Sequence, residues 1–373
     1  MAGYIMTLDS EESLKKCIES GTYSTNLSQP NGRWKTHHEG TFADFLSMKA
    51  GDNIYFFIKR KIYGIGVIKD VKTDCKFLNY IDADEPVEYT EKEYNDKLPL
   101  LSNATSNNRC FCTFRESPYF FKTGIDMDDA LNSNPPAFRM LRAMWKVSFI
   151  KIDDDENRAL VDIILKRNEE KITNGGDTFS VNSSIGDDIE KRVTAAHRLT
   201  AYKLLLSCAE DNKIKHEMAI EAALCEILIH DNDTPFGKWD YVSHQVVASP
   251  FKAVDYMDKM DVFGYRFIQG YSTKSKYLVI EIKKDIANID VIEQIMKYVD
   301  WIQSEYAFGD YSMIEAYVVA LGFTDEVVEK RNSECVRYFT KGYRPSVSCK
   351  WSSVKLIQYE YNQTTMKLEF TEI

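Results

Sequence analysis

The chain has 373 residues, 44% of them hydrophobic, and a formal net charge of −10, a length that favours two domains with three as the alternative. No stretch approaches the roughly 18 apolar residues of a membrane span, and residues 1–17 carry acids where a signal peptide needs a basic and then an apolar run, so a cytoplasmic protein with no membrane partner is expected. The acidic balance argues against a protein that coats DNA non-specifically, because phosphate contacts need clustered Lys and Arg. The eight scattered cysteines read as reduced thiols.

Residues 1–172 alternate short apolar and aromatic runs with Gly, Asn and Asp clusters, the texture of strands and turns. Strands are predicted over 54–58, 62–68 and 145–152. Helices are predicted over about 10–20, with Ser10 as N-cap, 41–48 and 157–170. Lys59, Arg60 and Lys61 sit at the turn of a predicted hairpin with aromatic strands, a local basic patch that equally suits a solvated face. Gly64-Ile65-Gly66 is not a dinucleotide loop, because strand follows it; its small residues are expected to admit a close backbone. Residues 173–186 are polar, bear Gly and Ser, and form the expected linker.

From 187 the apolar spacing becomes helical, with helices predicted over 187–208 and 213–230. Strands are expected at about 240–248, 261–268 and 276–283, then a helix over 288–307 and strands at 314–321, 354–361 and 366–372. This order implies an α/β domain with a central mixed sheet.

The chemistry concentrates in the run Lys276 to Lys283. Strand alternation puts Leu278, Ile280 and Ile282 on one face and Val279, Glu281 and Lys283 on the other. An acid and a lysine two apart on a mostly apolar strand are costly to bury without a purpose. Hydrolysis of a phosphodiester needs carboxylates to hold a hard divalent cation, Mg²⁺ or in its place Mn²⁺, and a positive charge near the attacking water or the phosphate. A hairpin of 261–269 with 276–283 brings Asp261 within two or three residues of a position opposite Glu281, with Asp255 and Asp258 in reserve. The helix 213–230 carries Glu217, Glu221 and Glu226, of which Glu217 and Glu221 share a face, and the helix after the Glu-x-Lys strand aligns Gln294 with Tyr298. Lys274, Lys276, Lys283 and Lys284 make a second candidate basic patch.

Asp261, then Glu281-Ile-Lys283, then Gln294-x-x-x-Tyr298, preceded by a glutamate helix, resembles the RecB-like branch of the PD-(D/E)XK nucleases, and the NucS-type nuclease domain in particular, over about residues 213–325. The resemblance implies that Asp261 and Glu281 hold the metal, Lys283 assists the water, and Gln294 and Tyr298 lie beside the substrate. It also implies a helix glutamate, with Glu221 favoured over Glu217 and counted with Asp261 and Glu281 as a metal ligand. The connection between Asp261 and Glu281 is longer than the family's.

Residues 3–165, through Trp34, Gly40-Thr41-Phe42, the 54–68 hairpin and the run from Asn134 to Trp145, resemble more loosely the PUA-like superfamily of EVE and YTH domains, a β-barrel with flanking helices. Members often grip a modified base between aromatic side chains, which makes Trp34, Tyr55 and Tyr63 candidates, with Lys59, Arg60 and Lys61 as DNA contacts; each aromatic equally suits a barrel core. Cys110-x-Cys112 lacks a partner pair for zinc, and no P-loop or Gly-x-Ser-x-Gly elbow occurs. The sequence thus points to a Mg²⁺-dependent DNA endonuclease: reader 1–172, linker 173–186, nuclease 187–373. A homodimer is one assembly it allows. Restriction of modified foreign DNA is the leading role. Repair of mismatched or branched DNA and a non-catalytic DNA-binding protein with a decayed site are the rivals.

Overall fold

The computed structural model describes residues 1–26, 36–69, 75–78, 109–144, 149–182, 184, 200–230, 234–249, 257–342 and 344–373. Trp34, Trp145 and Asp255 lie outside the described residues, as does the 187–199 part of the helix expected over 187–208. Two compact units emerge, Met1–Asn31 with Met48–Leu199, and Gly32–Ser47 with Thr200–Ile373. Helix α1 (Glu11–Ser20) belongs to the first and helix α2 (Thr36–Leu46) to the second. Both are mixed α/β, and no helix among the described residues is long and apolar enough to cross a membrane.

The first unit is built on strands β1 (Gly3–Thr7), β2 (Thr22–Asn26), β3 (Asn53–Ile58), β4 (Lys61–Ile68), β5 (Cys75–Leu78), β6 (Arg109–Glu116), β7 (Ile125–Asp126) and β8 (Phe149–Ile152). Their order is β2-β6-β4-β3-β1-β8, with β5 added on β6 and β7 on β4. Helix α1 starts where expected: the Ser10 side chain accepts from the Ser13 N–H at 3.1 Å, and Gly21 at φ +62° closes it, satisfying end groups that would otherwise lack partners. Every residue of β3 is buried. The glycines of β4 admit aromatic rings rather than a close backbone. A Cβ on Gly64 would lie 2.6 Å from the Tyr55 ring, and one on Gly66 2.6 Å from Phe120.

Helices α3 (Met127–Ser133), α4 (Met140–Met144), α5 (Asp154–Arg167) and α6 (Glu169–Asn174) complete the unit. Asn157 of α5 accepts from the Tyr55 hydroxyl at 2.7 Å and donates to Asn53 at 2.8 Å. The stretch expected as a linker is tied down at several points: Thr178 bridges to Phe121, the Phe179 N–H reaches the Phe120 carbonyl, and the Asn182 N–H reaches that of Glu19.

The second unit holds helix α7 (Tyr202–Cys208), the short pair β9 (Ala209–Glu210) and β10 (Lys213–Ile214), and helix α8 (Glu217–His230). Its six-stranded sheet runs β11 (Tyr241–Val247), β12 (Lys259–Phe267), β13 (Lys274–Ala287), β14 (Ile314–Phe323), β17 (Val354–Asn362), β18 (Lys367–Glu372). The β11–β12–β13 and β17–β18 pairs are antiparallel, and β13–β14–β17 is parallel. Helix α9 (Asp290–Glu305) packs on β13 and β14. Helix α10 (Asp325–Glu334) and the hairpin of β15 (Arg337–Lys341) with β16 (Val347–Trp351) fill a stretch in which no element was predicted.

Helix α8 explains why α2 belongs here. Ala219, Ile220, Ala222, Ala223, Leu224, Cys225, Leu228 and Ile229 are all buried, around most of the helix, so α8 needs cover on more than one side. One side meets the sheet. Helix α2 packs along another, with Phe42, Ala43, Phe45 and Leu46 buried.

Candidate active site

Three strands and one helix of the second unit converge on a cluster of carboxylates. The β12–β13 ladder pairs Val262 with Ile280 and Phe263 with Val279, which sets Asp261 level with Glu281, closer than the sequence required. Strand β13 is central and buried on both faces from Tyr277 to Ile282, so Glu281 is removed from water altogether while Lys283 remains part-exposed. The lysine Nζ lies 2.5 Å from Glu281 Oε1. Glu281 Oε2 is buried and has no hydrogen-bond partner among the described residues. A buried carboxylate oxygen left bare is costly, and its chemistry suits a cation.

Asp261 accepts from the Ile282 N–H at 2.8 Å through Oδ2. Its Oδ1 lies 3.3 Å from Gln245 Nε2, and that same nitrogen donates to Glu221 Oε1 and Oε2 at 3.0 and 3.1 Å. One amide thus joins the helix acid to the strand acid. Glu217 instead accepts from the Lys284 N–H at 3.2 Å, so Glu221 is the helix glutamate that shares a donor with Asp261. Glu226 is spent on the Ala201 N–H at 2.7 Å, and Asp258 pairs with Lys297 at 2.7 Å.

Behind Glu221 lies a buried chain that sequence reasoning missed. His244 Nδ1 stands 3.6 Å from Glu221 Oε2, and His244 Nε2 stands 3.2 Å from Asp44 Oδ1. Asp44 comes from α2. Burial works against a charge on His244, but the two carboxylates outweigh it and raise its pKa to about 10. Burial pushes Asp261 well above the usual carboxylate range, helped by Glu281 and Glu221. Glu281 rises to about 7, again through burial, with Lys283 opposing. Burial also opposes the charge of Lys283, and Glu281 outweighs it, so the ammonium is retained. Buried, crowded carboxylates resist ionisation, which makes this group a candidate functional site.

Gln294 and Tyr298 point the same way on α9, with the amide donating to the phenol oxygen at 3.2 Å. Tyr298 is buried, and its hydroxyl is held protonated by that burial and by the Glu281 and Asp261 charges.

Other candidates are dispersed. Tyr55 is wholly buried, and its hydroxyl donates to Asn157 within the first unit's core. Tyr63 is half-buried with its ring over Gly124, where a Cβ would come within 2.7 Å. Lys59 pairs with Glu11 at 2.9 Å and Arg60 with Asp128 at 2.7 Å, and Lys61 is exposed. The second lysine group is no single patch: Lys274 lies over the Tyr265 ring, Lys276 donates to the Ser312 carbonyl, and Lys284 pairs with Asp285.

No protein-family profile matches the chain, and no curated protein matches it. Among solved structures it is similar to a repair endonuclease from Pyrococcus abyssi, at 22% identity and a TM-score of 0.18. That alignment covers 26% of this chain and 34% of the other, about a third of that chain's length.

Proposed function

We propose that the second unit is a metal-dependent DNA endonuclease of the PD-(D/E)XK type. The observation that carries this reading is the bare, buried Glu281 Oε2, with Asp261 level with Glu281 on the adjacent strand, Gln245 joining Asp261 to Glu221, and the Lys283 ammonium bonded to Glu281. Hard oxygen donors of this kind suit Mg²⁺ or Mn²⁺, and Glu221, Asp261 and Glu281 would hold it. When bound, such a cation screens the phosphate and makes water a better nucleophile at neutral pH.

The chain's own groups supply the rest. Lys283 is part-exposed at the cluster's edge and places a fixed positive charge where negative charge grows on a phosphate. Its bond to Glu281 Oε1 holds that carboxylate and leaves the buried Oε2 unpartnered among the described residues. The Ile282 N–H fixes Asp261 through Oδ2 and leaves Oδ1 toward Gln245. Gln294 and Tyr298 form a linked donor pair that can orient a phosphate or sugar oxygen. We assign target selection to the first unit, with modified DNA as its leading target.

The test is cleavage of plain, methylated, hydroxymethylated and mismatched duplexes with Mg²⁺, with Mn²⁺ and with excess chelator. We expect cleavage that needs the metal and is abolished by Asp261→Ala with DNA binding kept. Full activity in chelator refutes the reading, and equal cutting of every duplex removes the selective role of the first unit.

A further inference from the structure

Gln245 adopts a backbone conformation that its residue type rarely accepts. It lies between the pairs His244↔Val262 and Val246↔Met260 of the β11–β12 ladder, yet its φ is +51°. A left-handed dihedral at a non-glycine residue inside a strand costs of order 1–3 kcal/mol and persists only where the surroundings enforce it. The ladder is unshifted here, so residue 245 stands opposite Asp261, and its amide meets Asp261 of β12 and Glu221 of α8 together.

The amide suits that place for chemical reasons. Carboxylate oxygens that carry no proton only accept, so an amide N–H between two acids serves both. An Arg or Lys there would compete with a cation for the acids, whereas a neutral amide bridges them without adding a charge. Each carboxylate has about four lone-pair directions, so donation by Nε2 leaves Glu221 and Asp261 able to bind further. Glu281 Oε2, outside the reach of these bonds, stays bare.

We propose that Gln245, opposite Asp261 on the ladder, is a positioning residue of the metal centre whose amide holds Glu221 and Asp261 toward each other. This rests on the nuclease reading above. Partners that orient ligating carboxylates typically cost 10–100-fold in metal affinity when removed, and that range sets the expectation for Gln245.

The test uses the full chain without DNA. Mn²⁺ is titrated into metal-free wild type, Gln245→Met, Gln245→Gly and Asp261→Ala, and free Mn²⁺ is read from its electron paramagnetic resonance signal. Gln245→Met keeps the length and loses the amide. Gln245→Gly also relieves the left-handed strain, so it folds even if the Met variant does not; circular dichroism and the metal-free melting midpoint check both. We expect both variants to be folded and to bind Mn²⁺ 10–100-fold more weakly, and Asp261→Ala not to bind. Binding by a folded Gln245 variant as tight as wild type, or tighter, overturns the proposal, because the amide would then be only a placeholder. That outcome differs from a wild type that binds no Mn²⁺, which overturns the metal-centre reading itself and this inference with it.

Discussion

Replacing Glu281 by Gln separates a metal site from an ordinary buried ion pair, because the two predict opposite changes in stability. Glu281 is fully buried and its pKa stands at about 7 against an ordinary 4.5, after the favourable pull of Lys283 is included. At about 1.4 kcal/mol per pH unit, ionising it in the metal-free fold costs about 3 kcal/mol more than ionising it in water. The sign follows from the direction: a carboxyl raised on folding contributes stability below its unfolded value, and that contribution is lost as pH rises through the folded one. The wild type should therefore lose stability between about pH 4.5 and pH 7, and Glu281→Gln, which carries no charge, should not lose this part. In chelator at pH 8 the variant should melt roughly 6–12 °C above wild type for a unit of this size, and at pH 4.5 the two should nearly coincide. Saturating Mn²⁺ at about 100 times its Kd should stabilise the wild type by about 2.7 kcal/mol and leave the variant unmoved. Thermal melts by circular dichroism across these conditions decide the matter. A Glu281→Gln protein that melts below wild type at pH 8 in chelator would show a satisfied Glu281–Lys283 pair serving stability alone, and the argument from a strained carboxylate would fail.

Lys283→Met keeps the apolar stem and removes the charge, so the protein should fold and bind DNA while single-turnover cleavage slows about 10²–10³-fold; cutting at the wild-type rate would make Lys283 an ordinary surface lysine. A fragment of residues 180–373 leaves α2 behind and uncovers buried apolar residues of α8, so it should be aggregated or bind a hydrophobic dye, and restoring residues 32–47 by fusion should recover a soluble fold; a monomeric, cooperative 180–373 fragment would contradict this. Tyr55→Phe leaves Asn157 Oδ1 without its donor and should cost about 1–3 kcal/mol in denaturant melts with DNA affinity unchanged, whereas a loss of affinity at equal stability would restore Tyr55 as a contact.

What was legible in the chain followed from local rules. The Glu-x-Lys strand could be found because acid and lysine at a two-residue spacing interrupt an apolar run, and period two fixes their common face. Asp261 followed because one hairpin sets one register. Ser10 marked the start of α1 because a hydroxyl before Glu11 and Glu12 is what an uncapped helix end requires.

The rest depended on partners far away in sequence. The Lys59-Arg60-Lys61 run reads as a basic patch until Glu11 and Asp128 arrive from other segments to pair with two of its members. Tyr55 and Tyr63 are equivalent in a list of aromatic residues, and only Asn157, brought by α5, makes one of them core. Residues 36–46 precede β3 of the first unit, yet they pack on the buried apolar residues of α8 in the second, and with them comes Asp44. Gln245 was the least legible of all. Its signal is a dihedral angle and not a residue type, since a glutamine in the strand Tyr241–Val247 looks like any solvated position. Had a glycine stood there, the strain would vanish, the strand could turn as freely, and the cluster would lose the donor between Glu221 and Asp261. A residue that bears the strain and also spans the acids is better explained by what its amide does than by how its backbone bends.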